Sequence, residues 1–254
     1  MAIMQVSNLT KKFGGVTANK NVSFEVKENQ IVGIIGPNGA GKTTCFNSIC
    51  GFTKKTEGQV LFGDKDISNL VHFQIAGLGI CRTFQHTTIF PEFTVMENIL
   101  AGMYLKAETG IFSTIFKYGK IVKQEQKLEE AAHKIIKMVR LTGKENSIAK
   151  NLAYGQQRKL AIGIALATSP KVLMLDEPAA GLNATESKEL VELIRDVSKT
   201  GITVVLVEHD MKVVMSVCDN IIVLNYGEKM AEGTPAEIRK NEKVIEVYLG
   251  TETD

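Results

Sequence analysis

The chain has 254 residues, enough to bury a sizeable core as one large domain or two small ones. Hydrophobic residues (44%) and charged residues (23%) stand at globular values, and 30 basic against 28 acidic residues leave a net charge of +2, which argues against a nucleic-acid partner. No segment reaches the roughly 18 consecutive apolar residues that span a bilayer, and the first residues, "MAIMQVSNLTKKF", lack the charged and apolar regions of a secretory signal. Work at a membrane would therefore run through a partner.

Near the start, "VSFEV" alternates Val22, Phe24 and Val26 with polar neighbours, the pattern of a half-buried strand. Residues 30–36, "QIVGIIG", form instead a continuous apolar run, which fits a strand buried on both faces. The run leads directly into "GPNGAGKTT", where Gly36, Gly41, Lys42 and Thr43 satisfy G-x-x-x-x-G-K-[ST]. Glycines there let backbone N–H groups turn toward phosphate oxygens, and a helix starting near Lys42 adds its positive dipole end. Lys42 is expected to reach the β- and γ-phosphates and Thr43 to ligate Mg²⁺. A chance glycine-rich turn would lack the preceding buried strand.

From about residue 87 to 167 strand signals fade and helical ones dominate. "QEQKLEEAAHKIIKMVRL" puts Leu128, Ala132, Ile135 and Val139 on one face, a stripe that core packing alone explains. Residues 104–120 mix aromatics and aliphatics with lysines and are equally compatible with core, a partner-facing surface or a loop. A second buried strand, "KVLMLDE" (171–177), ends in Asp176, suited to the metal, and Glu177, displaced from it and suited to orient and deprotonate a water. The bland alternative is a solvated strand end. Leu190, Ile194 and Val197 then mark a helix, with Asn183 and Glu186 as its capping box. A third buried strand, "GITVVLVEH" (201–209), follows it, so the sheet is expected to be parallel. His209 closes that strand. A lone histidine is more often structural, but the carboxyl end of a parallel strand is where such sheets bind ligands. "NIIVLNYGEKMAEG" reads as a hairpin turning near Gly227. The four cysteines form no CxxC or zinc spacing and read as reduced thiols. The expectation is an α/β core, residues 1–86 and 168–254, interrupted by a helical subdomain, 87–167.

Taken together these residues resemble the ATP-binding cassette (ABC) ATPase family over nearly the whole chain. The resemblance assigns a Walker A loop (Gly36, Pro37, Asn38, Gly39, Ala40, Gly41, Lys42, Thr43, Thr44) and a Q-loop glutamine, Gln85, near metal and catalysis. It assigns a signature turn "LAYGQ" with Ala153, Tyr154, Gly155 and Gln156, then Walker B and its catalytic glutamate (Asp176, Glu177), a D-loop (180–183) and a switch histidine, His209. Phe13 matches the aromatic that stacks on adenine. The family's fold is a P-loop NTPase core with a mixed sheet, an antiparallel β subdomain and the helical insertion. The resemblance implies head-to-tail pairing of two cassettes, with each ATP held between one Walker A loop and the other cassette's signature. "LAYGQ" then needs no catalytic group, because its backbone N–H groups would meet a phosphate bound by the second chain.

Departures exist. Ala153 replaces a serine, Tyr154 a glycine, Asn183 an aspartate and Ile164 an arginine common in the family, and they bear on the strength of pairing. "LAYGQQRKL", "DEPAAGLN", "VEHDMKVVM", the ending "GTPAEIRKNEKVIEVYLG" and the long segment 104–127 are similar to LivG-type ATPases of branched-chain amino acid importers. That resemblance implies a peripheral subunit on the cytoplasmic face of the inner or plasma membrane. Two permeases would dock near Gln85, an external binding protein would deliver substrate, and a sister ATPase would complete the dimer. Urea or amide import, and lipopolysaccharide export by an ATPase also ending in "VYLG", are the alternatives of cargo. A soluble ABC mechanoprotein is disfavoured by one cassette, absent heptads and near-neutral charge, and a GTPase by the missing Asn-Lys-x-Asp.

Overall fold

A computed structural model describes residues 1–83, 89–104 and 118–249, without the side chains of 118–124 and Leu249. Gln85 and most of the segment after Tyr104 lie outside the described residues. In chain order the elements begin with β1 (Ala2–Phe13), β2 (Val16–Lys27), β3 (Ile31–Ile35), α1 (Lys42–Ile49), β4 (Glu57–Phe62), β5 (Lys65–Asp66), α2 (His72–Gly77) and β6 (Ile80–Arg82). Then follow α3 (Val95–Tyr104), α4 (Tyr118–Met138), α5 (Tyr154–Ala167), β7 (Val172–Asp176), α6 (Ala184–Lys199) and β8 (Thr203–Val207). The chain closes with α7 (Met211–Val217), β9 (Asn220–Asn225), β10 (Glu228–Gly233), α8 (Pro235–Lys240) and α9 (Glu242–Leu249). Two compact units result: Met1–Arg82 with Lys171–Asp254, and Thr83–Pro170. No described helix is long and apolar enough to cross a membrane.

The larger unit holds two sheets. One has six strands in the order β10-β9-β3-β8-β7-β6, parallel except for the antiparallel β10. Its inner strands β3, β7 and β8 are buried at every position, as their unbroken apolar runs require. The parallel β7–β8 pair is joined through α6, whose Leu190, Ile194 and Val197 are buried. The β9–β10 turn places Tyr226 (φ 46°) and Gly227 (φ 79°) in the left-handed region, the pattern of a tight hairpin.

The second sheet, in the order β2-β1-β4-β5, is antiparallel. Val22, Phe24 and Val26 turn inward from β2 on the expected alternation. β1 buries Met4 and Val6 but then Leu9, because the register slips between Val6 and Leu9 and Asn8 takes φ 51°. One bulge therefore switches the inward face from even to odd positions.

The smaller unit is helical among its described residues. Gly102 and Gly163 let α3 and α5 approach closely: a Cβ on Gly102 would lie 2.7 Å from the Ile164 carbonyl, and one on Gly163 2.7 Å from Ile99. Fully buried Asn98 pins the chain before α3 by accepting from Phe90 N–H (2.8 Å) and donating to Phe90 O (3.0 Å) and Thr94 O (2.9 Å). The stripe on α4 differs slightly from expectation. Ile136, with Ala132 and Val139, is the fully buried residue, whereas Ile135 and Leu128 are half-buried at its margin. A period of 3.6 cannot decide between neighbours at the edge of a face.

Candidate active site

β3 delivers the chain into the phosphate loop, whose outer wall is packed against backbone. A Cβ on Gly36 would meet Leu224 O at 2.1 Å, and one on Gly41 (φ 90°) would meet Ala18 O at 2.3 Å and Asn19 Nδ2 at 2.6 Å. Gly39, at φ 79°, faces open space instead. Two bonds brace the loop from behind, Gly227 N–H to Ala40 O (3.1 Å) and Asn19 Nδ2 to Gly41 O (3.1 Å), and Lys20 N–H to Gly227 O (2.8 Å) ties the hairpin turn to β2. α1 begins at Lys42 on a glycine N-cap, with no side-chain cap and no acidic residue in its first turn. Its N-terminal N–H groups and dipole are thus left for an anion. Buried Lys42 donates to Gly36 O (2.7 Å) and Pro37 O (3.0 Å); burial lowers its pKa while the charge of Glu177 pulls the other way. Thr43 is exposed beside it.

Among the described residues no three His, Cys, Asp or Glu side chains converge to hold a cation. One threonine hydroxyl and one strand-end carboxylate suit Mg²⁺, which is typically held by one or two carboxylates plus substrate phosphates. Asp176 ends β7, 5% exposed, and its Oδ2 accepts from Arg82 Nη2 at 2.6 Å. Arg82 also donates to Asn47 Oδ1 of α1 and lies 5.1 Å from the ring centroids of Phe46 and Phe52. A buried carboxylate next to an anion site is thereby neutralised within the fold.

Glu177 follows with φ 45°, its N–H donating to Val207 O at 2.9 Å. This left-handed turn takes its side chain off the line of β7. His209 Nδ1 lies 3.9 Å from Glu177 Oε1 and 4.0 Å from Glu208 Oε2. The strand expected to close at His209 stops earlier, at Val207, so His209 stands on the following loop with its side chain 58% exposed. That release from the sheet lets the imidazole turn toward Glu177. The structure thus places Glu177 within electrostatic reach of both Lys42 and His209, with Asp176 one residue away along the chain. Gln85 lies outside the described residues. Phe13, half exposed at the end of β1, carries Lys11 Nζ 4.5 Å from its ring centroid.

The signature turn begins α5. Ala153 is the N-cap and has no side-chain acceptor to offer; its N–H donates to Gln156 Oε1 at 3.3 Å. Gly155 is buried, whereas Tyr154 is 46% exposed with its hydroxyl accepting from Arg158 Nε (3.0 Å) and Nη2 (2.6 Å). Asn183, the D-loop departure, caps α6 by accepting from Thr185 and Glu186 N–H at 3.0 Å each.

Two residues escaped sequence reasoning. Arg82 sits on a three-residue strand too short to show a period, and Glu208 reads as the polar end of an apolar run. Glu208 is fully buried, which pushes its pKa up, while N–H donors from Ala179 (2.7 Å), His209 (3.1 Å) and Asp210 (3.5 Å) pull it back. A buried carboxylate bonded to two loops has no signature in one sequence. Burial pushes the Cys45 and Cys50 thiols up to about 12, so neither is poised as a thiolate near the phosphate loop.

Comparison with known proteins supplies the family. The family model described as ABC transporter matches residues 19–180, and the one described as branched-chain amino acid ATP-binding cassette transporter matches residues 228–254. The chain is 45% identical to the high-affinity branched-chain amino acid transport ATP-binding protein LivG of Salmonella typhimurium over 249 residues, 98% of each chain. It is equally similar to BraF of Pseudomonas aeruginosa, at 45% over 98% of both. Among solved structures it resembles the ADP conformation of an ATP-binding cassette of an ABC transporter (TM-score 0.86, 34% identity, 98% and 99% of the two chains). A dimeric bacterial ABC transporter cassette matches with TM-score 0.76 and 29% identity over 91% and 98%.

Proposed function

The chain belongs to the ABC transporter family of ATP-binding cassettes, and we propose that it is the ATP-hydrolysing subunit of an importer for branched-chain amino acids. The observation carrying the chemistry is the grouping of Lys42, Glu177 and His209 about an uncapped helix start behind a braced glycine loop. The cargo rests on 45% identity to LivG and BraF over almost the full length and on the match of residues 228–254.

In this reading the loop from Gly36 to Thr44 wraps the phosphates of ATP. Lys42 exchanges its two carbonyl partners for phosphate oxygens, a substitution of one acceptor class for a charged one. Mg²⁺, when bound, neutralises developing phosphate charge, with Thr43, Asp176 and Gln85 as its holders. Glu177 accepts the proton of the attacking water, and His209 keeps that carboxylate and the terminal phosphate in register. Phe13 offers its exposed face to the base. Ala153, Tyr154, Gly155 and Gln156 serve the nucleotide of a second cassette rather than their own. Binding then draws two chains together and hydrolysis releases them, which drives two permeases from the cytoplasmic face of the membrane.

Affinity purification of the tagged chain from gently solubilised native membranes tests this. Two polytopic permeases and a sister ATPase are the expected companions. An exporter complex would overturn the cargo, and soluble partners alone the transporter.

A further inference from the structure

Glu208 has no part in the chemistry above, yet its carboxylate is completely withdrawn from solvent one residue before His209. Its two oxygens are divided between two segments. Oε1 accepts from Ala179 N–H at 2.7 Å, two residues past Glu177 and at the head of the loop leading to the Asn183 cap of α6. Oε2 accepts from His209 N–H at 3.1 Å and, more distantly, Asp210 N–H at 3.5 Å. Asp210 in turn caps α7 by accepting from Lys212 N–H at 2.8 Å and Val213 N–H at 3.4 Å. Holding a carboxylate out of water is expensive, and these N–H bonds offset the expense only while both segments keep their places.

We infer that Glu208 is a positioning residue that locks the loop after Glu177 to the loop carrying His209, so that the two move as one body. The inference rests on the proposed hydrolytic role of Glu177. An amide at this position cannot reproduce the lock. Of its two ends only one accepts, and its NH₂ would point at a backbone N–H, leaving a donor against a donor. Either the Ala179 side or the His209 side must then come loose, and the 3.9 Å approach of His209 to Glu177 is lost with it. Misplacement of about 1 Å at a reacting group is enough to lower turnover by one to two orders of magnitude without touching substrate binding.

The test uses the full chain and Glu208→Gln, His209→Ala and the double variant. ATP turnover is measured together with ATP affinity by calorimetry and amide hydrogen exchange. Expected is a kcat about tenfold lower for Glu208→Gln, with ATP affinity within twofold of wild type. Exchange should accelerate together in residues 177–183 and 208–213, and the loss should be non-additive with His209→Ala. A kcat within twofold of wild type, strictly additive losses, or acceleration in one segment alone would overturn the lock. Should Glu208→Gln fail to fold, Glu208→Asp keeps the charge but retracts it by one methylene, and the same coupled acceleration is expected. A wild-type chain without turnover would instead sink the reading of Glu177, and the exchange measurement would still decide the lock.

Discussion

Two helices in this protein begin in the same way and do different work. α1 starts on Gly41 and α5 on Ala153, neither with a side-chain cap or an acidic residue in its first turn, so both present unpaired N–H groups. At α1 the surrounding chain completes the site: braced glycines, a buried lysine and a carboxylate pair lie around it. At α5 the first residue is an exposed tyrosine tied to Arg158. Under the proposed function the first start is a receptor furnished within one polypeptide, whereas the second would meet a nucleotide carried by another chain.

Substitutions can separate the two. Glu177→Gln should reduce turnover by about a thousandfold while ATP still bridges paired chains, because the proposed general base belongs only to the α1 region; unchanged turnover would remove Glu177 from that role. Arg82→Met strands Asp176 in the interior and should cost about 3–5 kcal/mol in denaturant unfolding, with much of the loss recovered in Arg82→Met/Asp176→Asn. Gly41→Ala places a Cβ 2.3 Å from Ala18 O at φ 90°, so calorimetry should show ATP affinity lower by about a hundredfold. Tyr154→Ala should leave the affinity of the single chain within twofold of wild type. In the Glu177→Gln background it should nonetheless weaken the ATP-held dimer about tenfold by sedimentation. The smallest effect is at the cap itself: Ala153→Ser supplies the missing acceptor and should add about 0.5–1 kcal/mol to stability.

Much of the α1 region is legible in the sequence because its parts are local. A continuous apolar run means a strand buried on both faces, and glycines followed by Lys42 and Thr43 carry a phosphate-loop pattern, so both can be read without tertiary information. The capping box of α6 is legible for the same reason. β1 is less so, since its bulge at Asn8 breaks the alternation that would mark a twelve-residue strand. Arg82 and Glu208 are opaque for a different reason. Their partners lie 94 and 29 residues away in sequence, at Asp176 and Ala179, and no local pattern announces a long-range ion pair or a carboxylate shared between loops. The role proposed for "LAYGQ" is readable only through family resemblance, because the surroundings that role requires would come from a second chain.

Glu177 sits at φ 45°, a conformation that glycine or asparagine adopts readily and a glutamate resists. The chain therefore carries its proposed base at a local expense on the order of 1 kcal/mol. Glycine at this position would relieve that strain while abolishing the carboxylate. A screen for thermal resilience alone would therefore favour the loss of hydrolysis here, and heat-hardened variants of this protein should be checked for turnover at this residue first.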